Sequence, residues 1–353
     1  MRSVANLVEQ LDGDGINFKI VCSDKDADGS VLNVKTDCWV EYTSNTAIWY
    51  CQDKNQKRHL LSRISRDIKP DIIFVNGIYS LFYSVFPLLF CNAPKKIISA
   101  RGMLHPGALS QKSFKKRVFL LCWKLAGLQR RYEFHAVDEQ EKKYIQQVFG
   151  EKVRVHIAPN FPRLLNNSVS IKEEGRLKLV SVALISPMKN HLLVIQALRH
   201  CRSYIEYNIY GPVKEPAYWL QCQQEILKLP ANIQVNYHGE VAPEAVENLL
   251  GENNVFILPS KSENFGHAIN EALSAGKPVI TSFFTPWNNL RENKAGINID
   301  IADIDSITAA IDFFASLTAG EYVEWGTAAV AFAGKKADTA ALKKQYKAMF
   351  SLN

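Results

Sequence analysis

The stretch "VFILPSKSENFGHAINEALSAGKPVITS", residues 255–282, holds two short apolar runs separated by a segment of helical character. The runs at 255–259 and 278–282 are typical of buried strands, and a turn at 264–266 leads into the helix between them. A strand, a helix and another strand form the repeating unit of parallel sheets that carry helices on their faces. The stretch therefore predicts an α/β protein.

The same alternation runs along most of the chain. Before residue 160, strand-like runs occur at 18–23, 47–51, 71–76, 96–100, 132–137 and 153–159. After a polar, aperiodic segment, they occur again at 177–184, 206–211, 234–239, 255–259 and 278–282. We predict two doubly wound, Rossmann-like domains, 1–162 and 176–353, joined by a linker at 163–175 and facing a ligand cleft. No strand-like run follows residue 305, so the second domain is expected to end in helices.

Size and composition agree with this division. A chain of 353 residues exceeds one ordinary core, and its shares of apolar (47%) and charged (22%) residues are those of a globular protein. Seven cysteines without a C-x-x-C pair favour reduced thiols, so we expect a cytoplasmic protein. The longest apolar run, 80–91, is too short to span a bilayer.

The loop that follows "VFILP" has the chemistry of a ligand site. Ligands of parallel sheets bind beyond the carboxyl ends of the strands, where Glu263 lies. Gly266 lets the backbone approach a ligand, and the amides of His267 and Ala268 at the helix start suit phosphate oxygens. Glu271, one helical turn further on, is placed to accept hydrogen bonds from a ribose diol. A sugar nucleotide offers both groups, although two solvated acids are the alternative.

This stretch and several others resemble the retaining glycosyltransferases of family 4, which have the GT-B architecture. The other matching stretches, in chain order, are "IAPNF" at the domain junction, followed in the second domain by "LVSVALISPMKNHLLVIQAL", "YNIYGP", "YHGEV" and "TPWNNL". In the first half, "IISARGMLHPGALS" and "FHAVDEQEKKYIQQVFG" look like the branch that builds bacterial surface polysaccharides such as lipopolysaccharide and capsule. The resemblance implies transfer of a hexose from a UDP- or GDP-sugar to a saccharide or lipid-linked acceptor, without a metal or other cofactor.

The resemblance also implies catalytic roles. Glu263 would hold the transferred sugar, Glu271 the ribose, and Lys189 of "SPMKN" would neutralise the diphosphate as the glycosidic bond breaks. Arg101 of "ARGM" would lie beside the reacting sugar. We therefore expect Glu263, Lys189 and Arg101 to be catalytic, with a structural ion pair as the alternative role of Arg101.

Further substrate-binding residues are expected close to these four. They are Asn190, Asn264, Phe265, Gly266, His267, Ala268 and His105. The turn at 264–266 would lie beneath the sugar. For His105, an ordinary loop histidine is the alternative.

The chain departs from the family pattern at two places. Leu184 stands where most relatives have an arginine, so one cationic partner of the diphosphate is missing. The chain also begins on a helical stretch, "RSVANLVEQL", whereas relatives open with a strand and a Gly-Gly turn, so the first domain is expected to lack its first strand. These departures leave two alternatives: a GT-B protein that binds a sugar nucleotide without turnover, and a sugar-nucleotide epimerase.

Residues 112–131, "KSFKKRVFLLCWKLAGLQRR", combine basic residues with aromatic and aliphatic ones. A basic helix with an apolar face can lie on anionic lipid, so we expect association with the inner face of the cytoplasmic membrane. The surplus of 24 Lys and Arg over 16 Asp and Glu in residues 1–160 favours this. The alternative is a helix packed on the first sheet with its charges solvated. The sequence contains no recognised nucleic-acid-binding module.

Overall fold

The structure is a computed structural model that describes residues 2–26, 29–110, 113–167, 170–336 and 338–351. The chain forms two compact units. The first consists of Met1–Phe161 with Thr339–Asn353, and the second of Pro162–Asp338.

Strands occur throughout both units, and every predicted strand position carries one. Those of the first unit are β1 (Phe18–Ser23), β2 (Trp39–Thr43), β3 (Thr46–Cys51), β4 (Ile72–Asn76), β5 (Lys95–Ser99), β6 (Glu133–Ala136) and β7 (Val155–Ile157). Those of the second unit are β8 (Arg176–Val182), β9 (Tyr204–Tyr210), β10 (Ile233–Gly239), β11 (Val255–Leu258), β12 (Val279–Ser282) and β13 (Gly296–Ile299).

Helices connect most of these strands. Up to β7 they are α1 (Arg2–Leu11), α2 (Arg58–Ile68), α3 (Phe86–Phe90), α4 (Pro106–Ser110), α5 (Ser113–Leu125), α6 (Leu128–Arg131) and α7 (Glu139–Phe149). After β8 they are α8 (His191–Leu198), α9 (Pro216–Ile226), α10 (Val246–Gly251), α11 (His267–Ser274), α12 (Ile304–Ser316), α13 (Ala319–Lys336) and α14 (Thr339–Phe350). Short 3₁₀ turns lie at Asp53–Asn55 and Pro243–Ala245, and a π-helical turn at Leu81–Val85. None of the helices so described is long and apolar enough to cross a membrane.

The strands of the first unit fall into two sheets. One is the parallel sheet β4-β5-β6-β7, and the other has the order β1-β3-β2, with β2 antiparallel to β3. Strand β2 was not predicted, because it is short and two of its five residues are exposed. Among the described residues, no strand pairs with both β1 and β4 to connect the two sheets. Helix α1 precedes β1, as the sequence predicted.

Helix α14 belongs to the first unit, whereas the sequence analysis placed it in the second domain. Its buried residues Tyr346 and Met349 pack with Leu7 and Leu11 of α1 and with Ile97 of β5. The prediction followed chain order. The prediction was wrong because α14 packs against residues of α1 and β5, which lie far from it in the sequence.

The second unit is one parallel sheet of order β10-β9-β8-β11-β12-β13. Every residue of β11 and β12 is buried, as expected for central strands with helices on both faces. Strand β13, with the sequence "GINI", was not predicted, since it contains a glycine and an asparagine, which are rare in strands. This order of strands is that of a Rossmann fold.

The segment 163–175 is part of the second unit and not a free linker. Leu165 is 8% exposed and packs in a core of that unit. Nζ of Lys172 donates to the carbonyl oxygens of Ala315 at 2.9 Å and Leu317 at 3.1 Å, at the carboxyl end of α12. Lys172 thus satisfies carbonyl groups at a helix end, and Oγ of Ser170 lies 2.9 Å from Oη of Tyr322, so polar residues of the segment are bound within the second unit.

Candidate active site

The winding of the second sheet reverses between β8 and β11. The chain passes from β8 outward to β9 and β10 on one side, and then returns to β11 on the other. Such a reversal opens a crevice at the carboxyl ends of the two strands. The loop after β8 carries Lys189 and the loop after β11 carries Glu263. The topology therefore brings both predicted catalytic residues of this unit to one edge.

Lys189 and Glu263 form an ion pair. Nζ of Lys189 lies 2.5 Å from Oε1 of Glu263, and the two side chains are 21% and 11% exposed. The same carboxylate oxygen accepts a hydrogen bond from Oγ of Ser260 at 2.7 Å. The two charges neutralise each other at a largely buried position, where an unpaired charge is costly. A diphosphate that binds Lys189 would free Glu263 to accept hydrogen bonds from sugar hydroxyls.

Backbone hydrogen bonds join the loops around this pair. The amide of Lys261 donates to the carbonyl of Met188 at 2.9 Å and so connects the loops after β11 and β8. The amide of Glu263 donates to the carbonyl of Phe284 at 3.3 Å and so connects the loop after β12. Three strand ends thus contribute to one rim whose backbone is held in place before any ligand binds.

The turn at 264–266 has a conformation that favours glycine. Gly266 has a φ of 75°, and a Cβ atom there would lie 3.1 Å from Cδ1 of Ile269 and 3.2 Å from Nε1 of Trp287. That indole nitrogen donates to the carbonyl of Phe265 at 2.6 Å. Trp287 is 1% exposed, so the turn rests on a buried aromatic ring. The sequence analysis quoted "TPWNNL" without giving this tryptophan a role.

Two helices begin at this edge. Gly266 precedes α11 with a φ of 75°, and Asn190 precedes α8 with a φ of 64°. At both starts the capping residue makes no side-chain hydrogen bond to the first turn. The first amides of a helix have no acceptor within the helix and carry its positive dipole end. In α8 the amide of Leu192 already donates to Oη of Tyr218 at 2.9 Å. Lys189 comes directly before the cap of α8, and Glu263 lies three residues before that of α11, so a cation and two positive helix ends suit a diphosphate.

The other predicted residues of this unit lie along the same segment. Glu271 is 2% exposed and lies in the second turn of α11. Asn264, His267 and Ala268 are half-buried, and the ring of Phe265 is centred 4.7 Å from that of His267. The predicted residues therefore lie in the loop after β11 and in the first two turns of α11.

His191, the first residue of α8, was not predicted. It is 1% exposed, and neither ring nitrogen has a hydrogen-bond partner among the described residues. Burial, together with the nearby charge of Lys189, lowers its pKa to about 3. The imidazole is therefore neutral at physiological pH, and it adds no charge beside Lys189. The sequence around His191, which follows "MKN", does not show whether the histidine is buried in the core or exposed to a ligand.

Arg101 lies in the first unit, after β5. Its Nε and Nη2 atoms donate to Oδ1 of Asn76 at 3.0 and 2.9 Å, and Nη1 donates to Oδ1 of Asn160. Among the residues that the structure describes, no carboxylate lies within ion-pair distance of Arg101, although the nearby charge of Glu141 favours its charged form. Asn76 and Asn160 were not predicted, although each lies at the end of a predicted strand.

Glu141 holds the loop of Arg101. Its carboxylate accepts hydrogen bonds from the amides of Gly102 at 2.6 Å and Val137 at 2.8 Å, and burial raises its pKa. His105 has a local contact, since its Nδ1 accepts from the amide of Gly107 at 3.0 Å. Glu141 was also missed, because a glutamate in the first turn of a helix is common.

A bound metal ion would need several ligating side chains close together. In the part of the chain given above, no group of three or more His, Cys, Asp or Glu side chains is placed to hold a metal ion.

Solved structures share this fold along nearly the whole chain. Anabaena Alr3699/HepE in complex with UDP and glucose is 14% identical, with a TM-score of 0.71 over 95% of this chain and 99% of that chain. Sucrose-phosphate synthase from Thermosynechococcus elongatus is 14% identical, with a TM-score of 0.74 over 98% and 92%. WaaG, a glycosyltransferase involved in lipopolysaccharide biosynthesis, is 13% identical, with a TM-score of 0.69 over 100% and 96%. At such identities the likeness establishes the GT-B fold.

A family model supports the same assignment in the second unit. Residues 165–331 match the family described as "Glycosyl transferases group 1", and this range includes Lys189, Glu263 and Glu271. A search of curated proteins finds no match. The group 1 domain and the GT-B fold together identify the chain as a glycosyltransferase.

Proposed function

We propose that the chain is a retaining hexosyltransferase of family 4 that uses a nucleoside diphosphate sugar. The observation that carries this proposal is the contact between Lys189 and Glu263 at the reversal of the second sheet, beside the starts of α8 and α11. A cation and two helix starts suit a diphosphate, and an acid beside them suits sugar hydroxyls.

In the proposed reaction, the donor displaces Lys189 from Glu263. Lys189 and the helix amides then hold the diphosphate, Glu263 accepts hydrogen bonds from the sugar, and Glu271 binds the ribose diol. The bond between the anomeric carbon and the diphosphate oxygen breaks, and the oxygen keeps the electron pair. The acceptor hydroxyl attacks from the same face, and its proton passes to a phosphate oxygen. Lys189 stabilises the charge that develops on the leaving group.

Arg101 is proposed to bind the acceptor or the reacting sugar. Its guanidinium is held by two neutral amides, those of Asn76 and Asn160, which orient it without cancelling its charge. Such a group suits hydroxyls or a phosphate on the acceptor. His105 has its own local hydrogen bond and is assigned a weaker contact with substrate.

We favour a UDP-sugar as donor and a surface polysaccharide or its lipid-linked precursor as product. UDP and UDP-glucose are bound by Alr3699/HepE, and WaaG acts in lipopolysaccharide biosynthesis. We place the reaction in the cytoplasm, because all seven cysteines are free thiols.

The test is an assay of the whole chain with UDP- and GDP-hexoses and lipid-linked saccharide acceptors, with product configuration determined by NMR. Sugar transfer with retained configuration, lost in Glu271→Ala, supports the proposal. An inverted product, or no thermal stabilisation of the protein by any nucleotide sugar, contradicts it.

Leu184 favours one other function, binding of a sugar nucleotide without turnover. This half-buried leucine occupies the position where the family 4 pattern has an arginine, which would be a second cation for the diphosphate. Donor binding with no product from any acceptor would select this function. Replacing Leu184 with arginine would then be expected to tighten donor binding by about tenfold.

A further inference from the structure

Helix α5 of the first unit packs one side into the core. Leu120 and Trp123 are buried, with 8% and 3% of their surface exposed, and Phe119 packs against the same core. Nζ of Lys116 lies 5.4 Å from the ring centroid of Tyr79. The inner face of the helix is therefore packed against the protein, as in the alternative described in the sequence analysis.

The opposite side of α5 carries a second apolar stripe. Phe114, Val118, Leu121 and Leu125 are 78%, 45%, 57% and 79% exposed. Their spacings of four, three and four residues place them along one face of the helix. A contiguous apolar face of this kind on a protein surface is typical of an interaction site.

Cations border this stripe. Lys115, Arg117 and Lys124 are exposed on α5, and Arg130 and Arg131 are exposed on the adjoining α6. The sequence from 113 to 131 contains no Asp or Glu. An apolar stripe between cations is the pattern of helices that lie in the plane of an anionic lipid surface.

We propose that the outer face of α5 docks on anionic lipid, with the four stripe residues in the interface and the cations on the headgroups. Charge complementarity favours lipid over a second copy of the chain. Two copies joined through this face would bring their cations together, which is unfavourable. The proposal goes beyond the transfer reaction and does not depend on it, so it is tested without any donor.

The first experiment measures co-sedimentation of the whole chain with lipid vesicles. Vesicles of phosphatidylcholine with about one-third phosphatidylglycerol are compared with vesicles of phosphatidylcholine alone. Binding is expected only to the anionic vesicles and should weaken as salt is raised. The variant Lys115→Gln/Arg117→Gln/Lys124→Gln should bind about 100-fold more weakly.

A matched control separates this surface from net charge. The variant Lys54→Gln/Lys57→Gln/Arg63→Gln removes the same number of exposed cations from the same unit. Its vesicle affinity should stay within about threefold of that of the wild type.

The stripe is tested separately. The variant Phe114→Ser/Leu121→Ser/Leu125→Ser keeps every charge and should bind at least about tenfold more weakly. All three residues are exposed, so its melting temperature should match that of the wild type.

Cys122 and Cys38 locate the contact directly. Both are exposed free thiols in this unit, and Cys122 lies on α5. A polarity-sensitive dye on Cys122, in a Cys38→Ser background, should shift to shorter wavelength on anionic vesicles. The same dye on Cys38, in a Cys122→Ser background, should not shift.

Three results would overturn the proposal. One is equal binding of the wild type to both kinds of vesicle. Another is unchanged vesicle binding by both the charge variant and the stripe variant. The last is a lipid-free dimer, seen in sedimentation velocity, that the stripe variant dissociates, because a second copy would then cover the face.

Discussion

Nζ of Lys189 lies 2.5 Å from Oε1 of Glu263, and the two residues follow adjacent strands, β8 and β11, where the winding of the second sheet reverses. Each side chain therefore satisfies the charge of the other in the ligand-free protein. Because a donor offers a diphosphate to the cation and hydroxyls to the anion, it can replace both partners at once. This exchange makes the pair the centre of the proposed site.

Replacing Lys189 with alanine is expected to weaken UDP binding. The loss of one charge-assisted contact is worth about 1.5 to 3 kcal/mol, which is about 10- to 100-fold in the dissociation constant. Isothermal titration calorimetry with UDP measures it. Lys214→Ala, at an exposed position of the same unit, is the control and should bind UDP as the wild type does. Equal affinities of the two variants would remove Lys189 from the diphosphate site.

Replacing Glu263 with glutamine is expected to separate binding from transfer. The carboxylate competes with the diphosphate for Lys189, so UDP should bind the variant at least as tightly as the wild type. Transfer should fall by about 100-fold or more, because the acid proposed to accept hydrogen bonds from the sugar is lost. Steady-state kinetics beside UDP titrations test this, with exposed Glu244→Gln as control. Weaker UDP binding with unchanged kcat would contradict the assignment.

Gly266 and Gly239 form a matched pair for testing the turn. Their φ angles are 75° and 74°, but a Cβ atom meets Trp287 and Ile269 only at Gly266, whereas nothing lies within 4 Å at Gly239. Alanine at either position should cost about 1 kcal/mol in unfolding free energy through φ alone.

The excess cost of Gly266→Ala over Gly239→Ala then reports the contacts of this turn with Ile269 and Trp287. We expect an excess of about 1 to 3 kcal/mol in denaturant unfolding, together with reduced transfer. Equal stability and activity of the two variants would show that the tight packing of this turn has no role.

His191 should make the second unit sensitive to acid. Its folded-state pKa is about 3, below the ordinary value of 6.5, so below pH 6.5 the unfolded chain takes up a proton that the folded chain does not. The contribution of neutral His191 to the free energy of unfolding is therefore fully present above pH 6.5. As the pH falls from 6.5 towards 3, the free energy of unfolding decreases by about 1.4 kcal/mol per pH unit.

The variant His191→Phe should therefore flatten the fall in unfolding free energy between pH 6 and about pH 4. Exposed His200→Gln serves as the control and should leave the slope unchanged. A residual slope is expected, because burial also lowers the pKa of His135 in the first unit to about 3. The same slope in His191→Phe and wild type would refute this prediction.

Arg101→Lys should impair transfer but not donor binding. An ammonium cannot reproduce the hydrogen bonds to both Asn76 and Asn160 that orient the guanidinium. We expect kcat/KM for the acceptor to fall by at least about tenfold, with UDP affinity unchanged. Arg66→Lys, exposed on α2, is the control. Unchanged acceptor kinetics would assign Arg101 to structure alone.

The sequence by itself determined the alternation of strands and helices and the position of the loop at 260–266. Parallel strands buried on both faces need continuous apolar runs, and the helix start needs a glycine with positive φ, so both leave local signals. Glu263 and Glu271 could be named for the same reason, because the loop and helix that carry them follow a strand that the pattern reveals. Lys189 was named only from the resemblance of "SPMKN" to family 4.

Only the tertiary structure decided which side chains meet. The Lys189–Glu263 contact spans 74 positions, and the packing of α14 with α1 joins the two ends of the chain. Trp287, Asn160 and Glu141 act through hydrogen bonds to backbone or to Arg101 that no local pattern marks. On α5, the sequence showed that basic and apolar residues are mixed, but burial alone showed that one apolar face is covered and the other exposed. Partners that are distant in the chain are selected by the free energy of packing the whole unit, which no short stretch encodes.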